Sequence, residues 1–280
     1  MGEVLQLVVN GLVAGAVLAV PAIGFTAIYA VLRFPNFTVA SHATIGAFAG
    51  YVANTSGGLP AWAAVIVAFL VAGAAGVVND ELVLKPLRPA GALTAAIAAV
   101  ALTIVLENVV RFVFGNDLRG YDLPIRRDWQ VAAIRVGPQQ VQNLAIAVAA
   151  MTAVFLFLAF TRLGKAMRAV ADNPMLAGIK GINADSVARL VNFVGMGLAG
   201  VGGMLLGLDT SIDPLTGFRV ILSVFAAAVV GGLGSIPGAV VGALTIGVAE
   251  ELSLLSLAPA YRTAVGFFAI LVVLTLRPRG

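Results

Sequence analysis

The sequence predicts an all-α protein, a polytopic helical bundle of about eight membrane segments that occupies residues 1–280 as a single domain. Three observations predict it. Apolar runs of about twenty residues, the length that crosses a hydrocarbon core, recur along the chain. Charged residues make up 11% of it against 60% hydrophobic residues, with a mean hydropathy of +1.04. Soluble domains carry about 25% charged residues, so this chain has too few charges to cover a surface open to water. Finally, the ten-residue alternating segments of a membrane β-barrel are absent. The net charge of +4 does not point to nucleic acid, because the basic residues flank apolar runs and form no aromatic-interleaved patch. With no cysteine, disulfides and thiolate metal sites are excluded, and no cofactor is implied.

The elements follow in order. The opening MGEVLQLVVNGLVAG has no basic leader, and its apolar run continues to Leu32, longer than a signal peptide's core. It reads as a retained first span, 4–32. Further spans are expected at 37–54, 61–84, 93–114, 141–160, 187–207 and 260–276. A long loop, 115–140, mixes Asp117, Asp122 and Asp128 with Arg119, Arg126, Arg127 and Arg135.

Basic residues beside spans mark the cytoplasmic side. Placing 161–186 there brings Arg33, Lys85 and Arg88 inside. It leaves the uncharged turn NTSGGLP, the charge-balanced loop 115–140 and the N-terminus outside. Arg277 and Arg279 should then be inside, which requires two membrane arms between 220 and 250. VILSVFAAAVV runs in, GGLGS turns, and IPGAVVGALTIGVAEE returns. Each arm has about 11–15 residues, or about 16–22 Å of helix, short for a crossing. Irregular backbone at membrane depth is tolerated only inside protein or beside water. A broken or re-entrant hairpin is expected, with one long helix and a different C-terminal placement as the alternative. Gly234, Gly238 and Gly242 are four apart, as on one close-packing helix face. The pairs Gly11 and Gly15, Gly46 and Gly50, and Gly203 and Gly207 share that spacing.

One stretch does not fit a plain linker: TRLGKAMRAVADNPMLAGIKGINADSVARL, residues 161–190, with five of the seventeen basic residues. The helix before it is expected to run on through Arg162, Lys165 and Arg168. Asn173 is a good N-cap, and Pro174 suits the first helical position. MLAGIK then makes a short helix with Lys180 in its last turn, favourable to the dipole. Gly181 suits the left-handed position that ends a helix, and Asn183 or Asp185 caps the next span. Leu163, Met167, Val170 and Pro174 form one apolar stripe. Helix end, capped short helix, stop and restart describe a docking element for a cytoplasmic partner.

GKAMRAVADNPMLAGIKGINADSVARL resembles the cytoplasmic coupling segment of permease subunits of branched-chain amino acid ABC importers. GGLGSIPGAVVGALTIGVAEE resembles that family's glycine-rich C-terminal motif. The run NGLVAGAVLAVPAIGFTAIYAVLRFPNFTVASHATIGAFAGYVA is similar to its opening helices. The resemblance implies a permease in a bacterial inner membrane. It implies a periplasmic loop at 115–140 and an ATPase-coupling segment at 161–186, carried by Gly164, Arg168, Asn173, Pro174, Met175, Leu176, Ala177, Ile179, Gly181 and Ile182. Its implied partners are two ATP-binding cassette subunits, a sister permease or second copy, and a periplasmic substrate-binding protein. Pathway candidates are Asn10, Asn36, Ser41, His42 and Thr44. The chain departs from the family where Asn36-Phe37 is followed by Thr38-Val39-Ala40 instead of Ala-His-Gly, so His42 sits later than the family's histidine.

Two other functions compete. A stand-alone secondary carrier would suit the broken helices and the ionisable Glu107 and Arg111, although those two are four apart and can simply pair. An intramembrane enzyme would need more than Ser41 beside His42, because neighbours on a helix point about 100° apart. The chain has no ATP site of its own. Gly164-Lys165 is followed by Ala166, and Ala159 stands where a P-loop's first glycine belongs.

Overall fold

A computed structural model describes residues 2–123, 129–131, 134–258 and 261–276. Long helices dominate, because no water competes for backbone groups in a bilayer and helices satisfy them internally. In order they are α1 (Gly2–Leu32), α2 (Val39–Thr55), α3 (Ala61–Asn79), the three-residue α4 (Lys85–Leu87) and α5 (Ala92–Phe114). A two-stranded antiparallel ribbon follows, β1 (Trp129–Val131) with β2 (Ile134–Val136), Trp129 opposite Val136. Then come α6 (Pro138–Phe160), α7 (Arg162–Asp172), α8 (Pro174–Ile179), α9 (Ala184–Asp209), α10 (Thr216–Gly231), α11 (Ile236–Leu252) and α12 (Arg262–Leu276).

Among the described residues, six helical stretches are long and apolar enough to cross a membrane: Gly2–Leu32, Ala61–Ala90, Ala92–Phe114, Pro138–Phe160, Ala184–Asp209 and Ile236–Leu255. Thr216–Gly231 and Arg262–Leu276 are shorter apolar helices. The chain is thus an all-α, multi-pass membrane protein. Arg277 and Arg279, on which the expected orientation of the C-terminus rests, lie outside the described residues, as do Arg126, Arg127 and Asp128 of the loop.

The core is built around α9, which packs against α1, α2 and α3, while α11 packs along α1. Lipid tails are as apolar as leucine, so close backbone contact holds these helices together. At Gly24 an added Cβ would collide with the Gly195 carbonyl oxygen. At Gly46 it would strike the Gly200 backbone, and at Gly203 the Ala43 carbonyl oxygen. Gly11 and Gly15 seat α1 on Val248 and Leu244 of α11.

The hairpin between 216 and 252 forms, with arms of 16 and 17 residues. Gly238 meets the Gly231 carbonyl, and Gly242 the Ala227 carbonyl. Gly234 is a correction. It lies outside the helix, because the Ser235 hydroxyl accepts from the Gly238 amide at 3.2 Å and starts α11. With φ of +94°, Gly234 serves the turn, a conformation that costs glycine little. The Ala30 Cβ is 4.0 Å from where its own Cβ would stand. The turn therefore closes beside the last turn of α1, not halfway along the bundle.

Two further differences concern helix ends. The sixth helix does not continue through Arg162. Thr161 is extended, with ψ of 154°, and its hydroxyl accepts from the Gly164 amide at 2.9 Å, so α7 begins anew. The expected span 61–84 contains a π-helical turn, Asp80–Leu84, before α4. Buried Asp80 pairs there with Arg88.

The arms make a direct test. Gly238→Leu should lower stability by about 1–3 kcal/mol or more through overpacking, read as a lower thermal midpoint in detergent. Val241→Leu, on the 64%-exposed face of the same arm, should stay within about 0.5 kcal/mol.

Candidate functional site

The segment 161–183 builds one side of the site. Asn173 Oδ1 accepts from the amides of Met175 at 3.1 Å and Leu176 at 3.0 Å, satisfying two donors that a helix start leaves open. Gly181 has φ of +81°, and Ile182 returns its amide to the Ala177 carbonyl at 3.0 Å, closing α8 after little more than one turn. Asn183 Oδ1 then accepts from Asp185 and Ser186 and opens α9.

The named residues divide by direction. Gly164 and Ala177 are buried and Ile182 is half-buried, so these hold the segment on the bundle. Gly164 lets α7 press against the Phe157 carbonyl and Leu158. Arg168, Asn173, Pro174 and Gly181 are exposed. Met175, Leu176 and Ile179 are 79%, 59% and 73% exposed, an apolar face with no cover in this chain. The expected stripe divides too: Met167 and Val170 are buried, whereas Leu163 and Pro174 are exposed.

Ionic contacts tie this end together. Glu81, on the π-helical turn, receives Lys85 Nζ at 3.1 Å and Arg189 Nε at 2.6 Å, and Lys85 also reaches Asp185 at 3.4 Å. Arg33 has φ of +59° and donates through Nη2 to the Ala171 carbonyl near the end of α7. Neither the Glu81–Arg189 tie nor the Arg33–Ala171 tie was foreseen, because they join residues 108 and 138 positions apart.

The five pathway candidates separate. Asn36, Ser41, His42 and Thr44 are each at most 3% exposed, buried within the protomer. Asn36 Oδ1 accepts from the Thr38 hydroxyl at 2.7 Å, and Ser41 donates to the Thr38 carbonyl at 2.9 Å. His42 Nδ1 is 2.7 Å from the same carbonyl, and Asn79 Nδ2 is 3.2 Å from His42 Nε2. A carbonyl can only accept, so Nδ1 donates to it, and with Asn79 on its other nitrogen His42 joins α2 to α3. Thr44 accepts from the Gly217 amide at 3.0 Å. These four are enclosed and hydrogen-bonded inside the bundle, with Asn36 Nδ2 left without a partner among the described residues. Asn10 lines a cavity.

That cavity, about 400 Å³, lies at the opposite end of the bundle from α8. It is bounded by the starts of α1, α6, α10 and α12 and the ends of α9 and α11. Glu250 and Glu251 in its wall both reach Arg262, at 3.5 and 2.8 Å, and Ser223 donates to Glu250 at 2.6 Å. Sequence reading took Glu250 and Glu251 only as the end of an arm. Two adjacent carboxylates closing an apolar run were the available signal. Glu107 and Arg111 of α5 pair at 2.7 Å, as their spacing allows.

A multi-pass helical bundle, with a capped helix exposing apolar side chains at one end and a polar cavity at the other, defines a membrane transport component. The chain belongs to the family described as branched-chain amino acid transport system / permease component, whose model matches residues 7–275. It is 32% identical to the high-affinity branched-chain amino acid transport system permease protein LivH of Escherichia coli (strain K12), over 99% of this chain and 94% of that one. It is 31% identical to the corresponding protein BraD of Pseudomonas aeruginosa, with the same coverage. A probable branched-chain amino acid transport permease protein LivH of Methanocaldococcus jannaschii is 31% identical over 91% of this chain and 82% of its own. PsaBC from Streptococcus pneumoniae in complex with Fab shares the fold, with TM-score 0.51 and 16% identity over 96% of this chain and 91% of that one. As a permease component the chain is not an enzyme, and the stand-alone carrier reading loses its support.

Asn173→Ala should cost the start of α8 about 1 kcal/mol, the usual worth of an N-cap. In hydrogen exchange the amides of Met175 and Leu176 should open about fivefold faster, while Asn173→Asp retains protection.

Proposed function

We propose that the chain is the transmembrane permease subunit of an ATP-driven ABC importer in a bacterial inner membrane. Its cargo is branched-chain amino acids or related small hydrophobic solutes. It forms half of a translocation unit with a sister permease or a second copy. Two ATP-binding cassette subunits dock at the cytoplasmic face, one of them on 161–186 of this chain, and a periplasmic binding protein delivers solute at the face that carries 115–140. The names of the relatives support the cargo and the system.

The observation that carries the docking assignment is the uncovered face of Met175, Leu176 and Ile179 on a helix capped at both ends. A six-residue helix is too short to be stable alone in water, so its ordered exposure suits insertion into a cleft. Full burial of a large apolar side chain is worth about 1.5–3 kcal/mol. Arg168 and Lys180 at the rim add less, since exposed ion pairs contribute about 0–1 kcal/mol. Permease chemistry then reduces to positioning. α8 receives the ATPase's movement, α7 and the Arg33 and Glu81 contacts hold α8 to the bundle, and the helices open or close a path between the two faces.

Leu176→Asp should cut ATPase co-purification at least about tenfold, a loss of about 1.4 kcal/mol, while the permease elutes and melts as before. Unchanged co-purification would remove the docking assignment. Orientation is checked separately. Cysteines introduced singly at Ser56 and Gly178, both exposed, should label from opposite sides of the membrane, and same-side labelling would overturn the proposed topology.

A further inference from the structure

The cavity opposite α8 carries a charge pattern that structural packing does not require. Its wall holds three carboxylates, Asp209, Glu250 and Glu251, and two guanidinium groups, Arg219 and Arg262. Arg219 is taken by Asp213, which lies outside the cavity. That leaves Arg262 to serve both glutamates, and it lies nearer to Glu251 than to Glu250. Asp209 has no ion-pair partner among the described residues. The side chains of Glu250 and Glu251 are only 9% and 10% exposed, whereas that of Arg262 is 37% exposed. Asp209 is exposed, whereas the two buried glutamates share one guanidinium, and negative charge held in a low-dielectric wall costs free energy unless a positive group compensates it.

Uncharged polar side chains, Asn10, Gln140, Asn143, Thr210 and Thr263 among them, share the rest of the lining with aliphatic ones. Val13, Val17 and Leu18 of α1 and Leu206 of α9 supply the aliphatic part, with Val17 and Leu18 midway along α1. A volume of about 400 Å³ falls at the small end of the about 300–1,000 Å³ usual for ligand sites. One cavity therefore combines carboxylates in excess, a guanidinium with an exposed edge, and an aliphatic floor.

We infer that this cavity is a receiving site for the zwitterion of an α-amino acid with an aliphatic side chain. Its ammonium sits between Glu250 and Asp209, its carboxylate on Arg262, and its side chain on Val17 and Leu18. The zwitterion adds no net charge; its ammonium offsets the carboxylates it touches, including the glutamate that its own carboxylate displaces from Arg262. The incoming carboxylate replaces one glutamate on Arg262 in a bidentate pairing to which the guanidinium fork is suited. Both charged ends of the solute are matched together, so a molecule with only one of them leaves a buried group unpaired. The permease itself would then take part in selection. The inference rests on the amino-acid importer reading above, and deepens it.

The test uses the full-length permease in lipid nanodiscs and saturation-transfer NMR with millimolar L-leucine. Transfer to the leucine methyl groups is expected. It should fall at least fivefold in Glu250→Gln, which keeps the Ser223 hydrogen bond, and in Arg262→Lys, which keeps a positive charge. Isocaproate, lacking the ammonium, and isopentylamine, lacking the carboxylate, should not displace leucine at equal concentration. Absence of transfer with the wild-type chain would overturn the site. So would unchanged transfer in both variants, provided their thermal midpoints match wild type, or displacement by either truncated analogue. Leucine uptake by the complete wild-type complex in proteoliposomes is measured in parallel. Its failure would sink the importer reading, whereas uptake without nanodisc binding would sink this site alone.

Discussion

Contact between bare backbones at the α9 crossings is the constraint on which the rest of the bundle depends. In a bilayer no hydrophobic gain accompanies helix association, so shape has to supply it. Gly195, Gly200 and Gly203 bring α9 against Gly24, Gly46 and Ala43 of α1 and α2. Any side chain at these positions would have to occupy space that backbone already fills. Because α1 and α2 are drawn in so far, the polar group at the start of α2 is enclosed, and Thr38, His42 and Asn79 must satisfy one another. The polar network thus follows from the glycine packing and adds specificity to it, since buried polar groups need particular partners.

The fold class and nearly every helix were legible in the sequence, because membrane spans are set by length and hydropathy alone. The capped segment was legible for a different reason. Asn173, Gly181 and Asn183 act on backbone within three residues of themselves, and local chemistry can be read locally. What could not be read was anything that depends on distant partners. Asn36 and Ser41 bond locally to Thr38, but only the approach of α3 and α10 gives His42 its contact with Asn79 and Thr44 its contact with Gly217. Thr161 is an intermediate case. Its capping role was readable from TRLG, but an unbroken amphipathic continuation was equally compatible with the spacing.

Gly234 illustrates how a regular spacing can mislead. Three glycines four apart imply one helical face only if all three are helical, and Ser235 decides otherwise by capping the helix that starts beside it. The π-helical turn at Asp80–Leu84 left no comparable trace. One extra residue in a turn shifts every later side chain around the axis. At the start of this turn Glu81 reaches Arg189 of α9 while Asp80 turns inward to Arg88.

The Arg33 contact has a mechanical consequence. Its side chain spans from the corner between α1 and α2 to the carbonyl of Ala171, at the far end of α7 from Thr161. At its other end α7 is fixed by Thr161 and Gly164 against α6. α7 is therefore fixed at both ends. α8 follows it with Ala177 buried and Ile182 half-buried on the way into α9, so it too is held from both sides while Met175, Leu176 and Ile179 stay exposed. The support nearest to its start is the corner that leads directly into the enclosed stretch from Asn36 to His42.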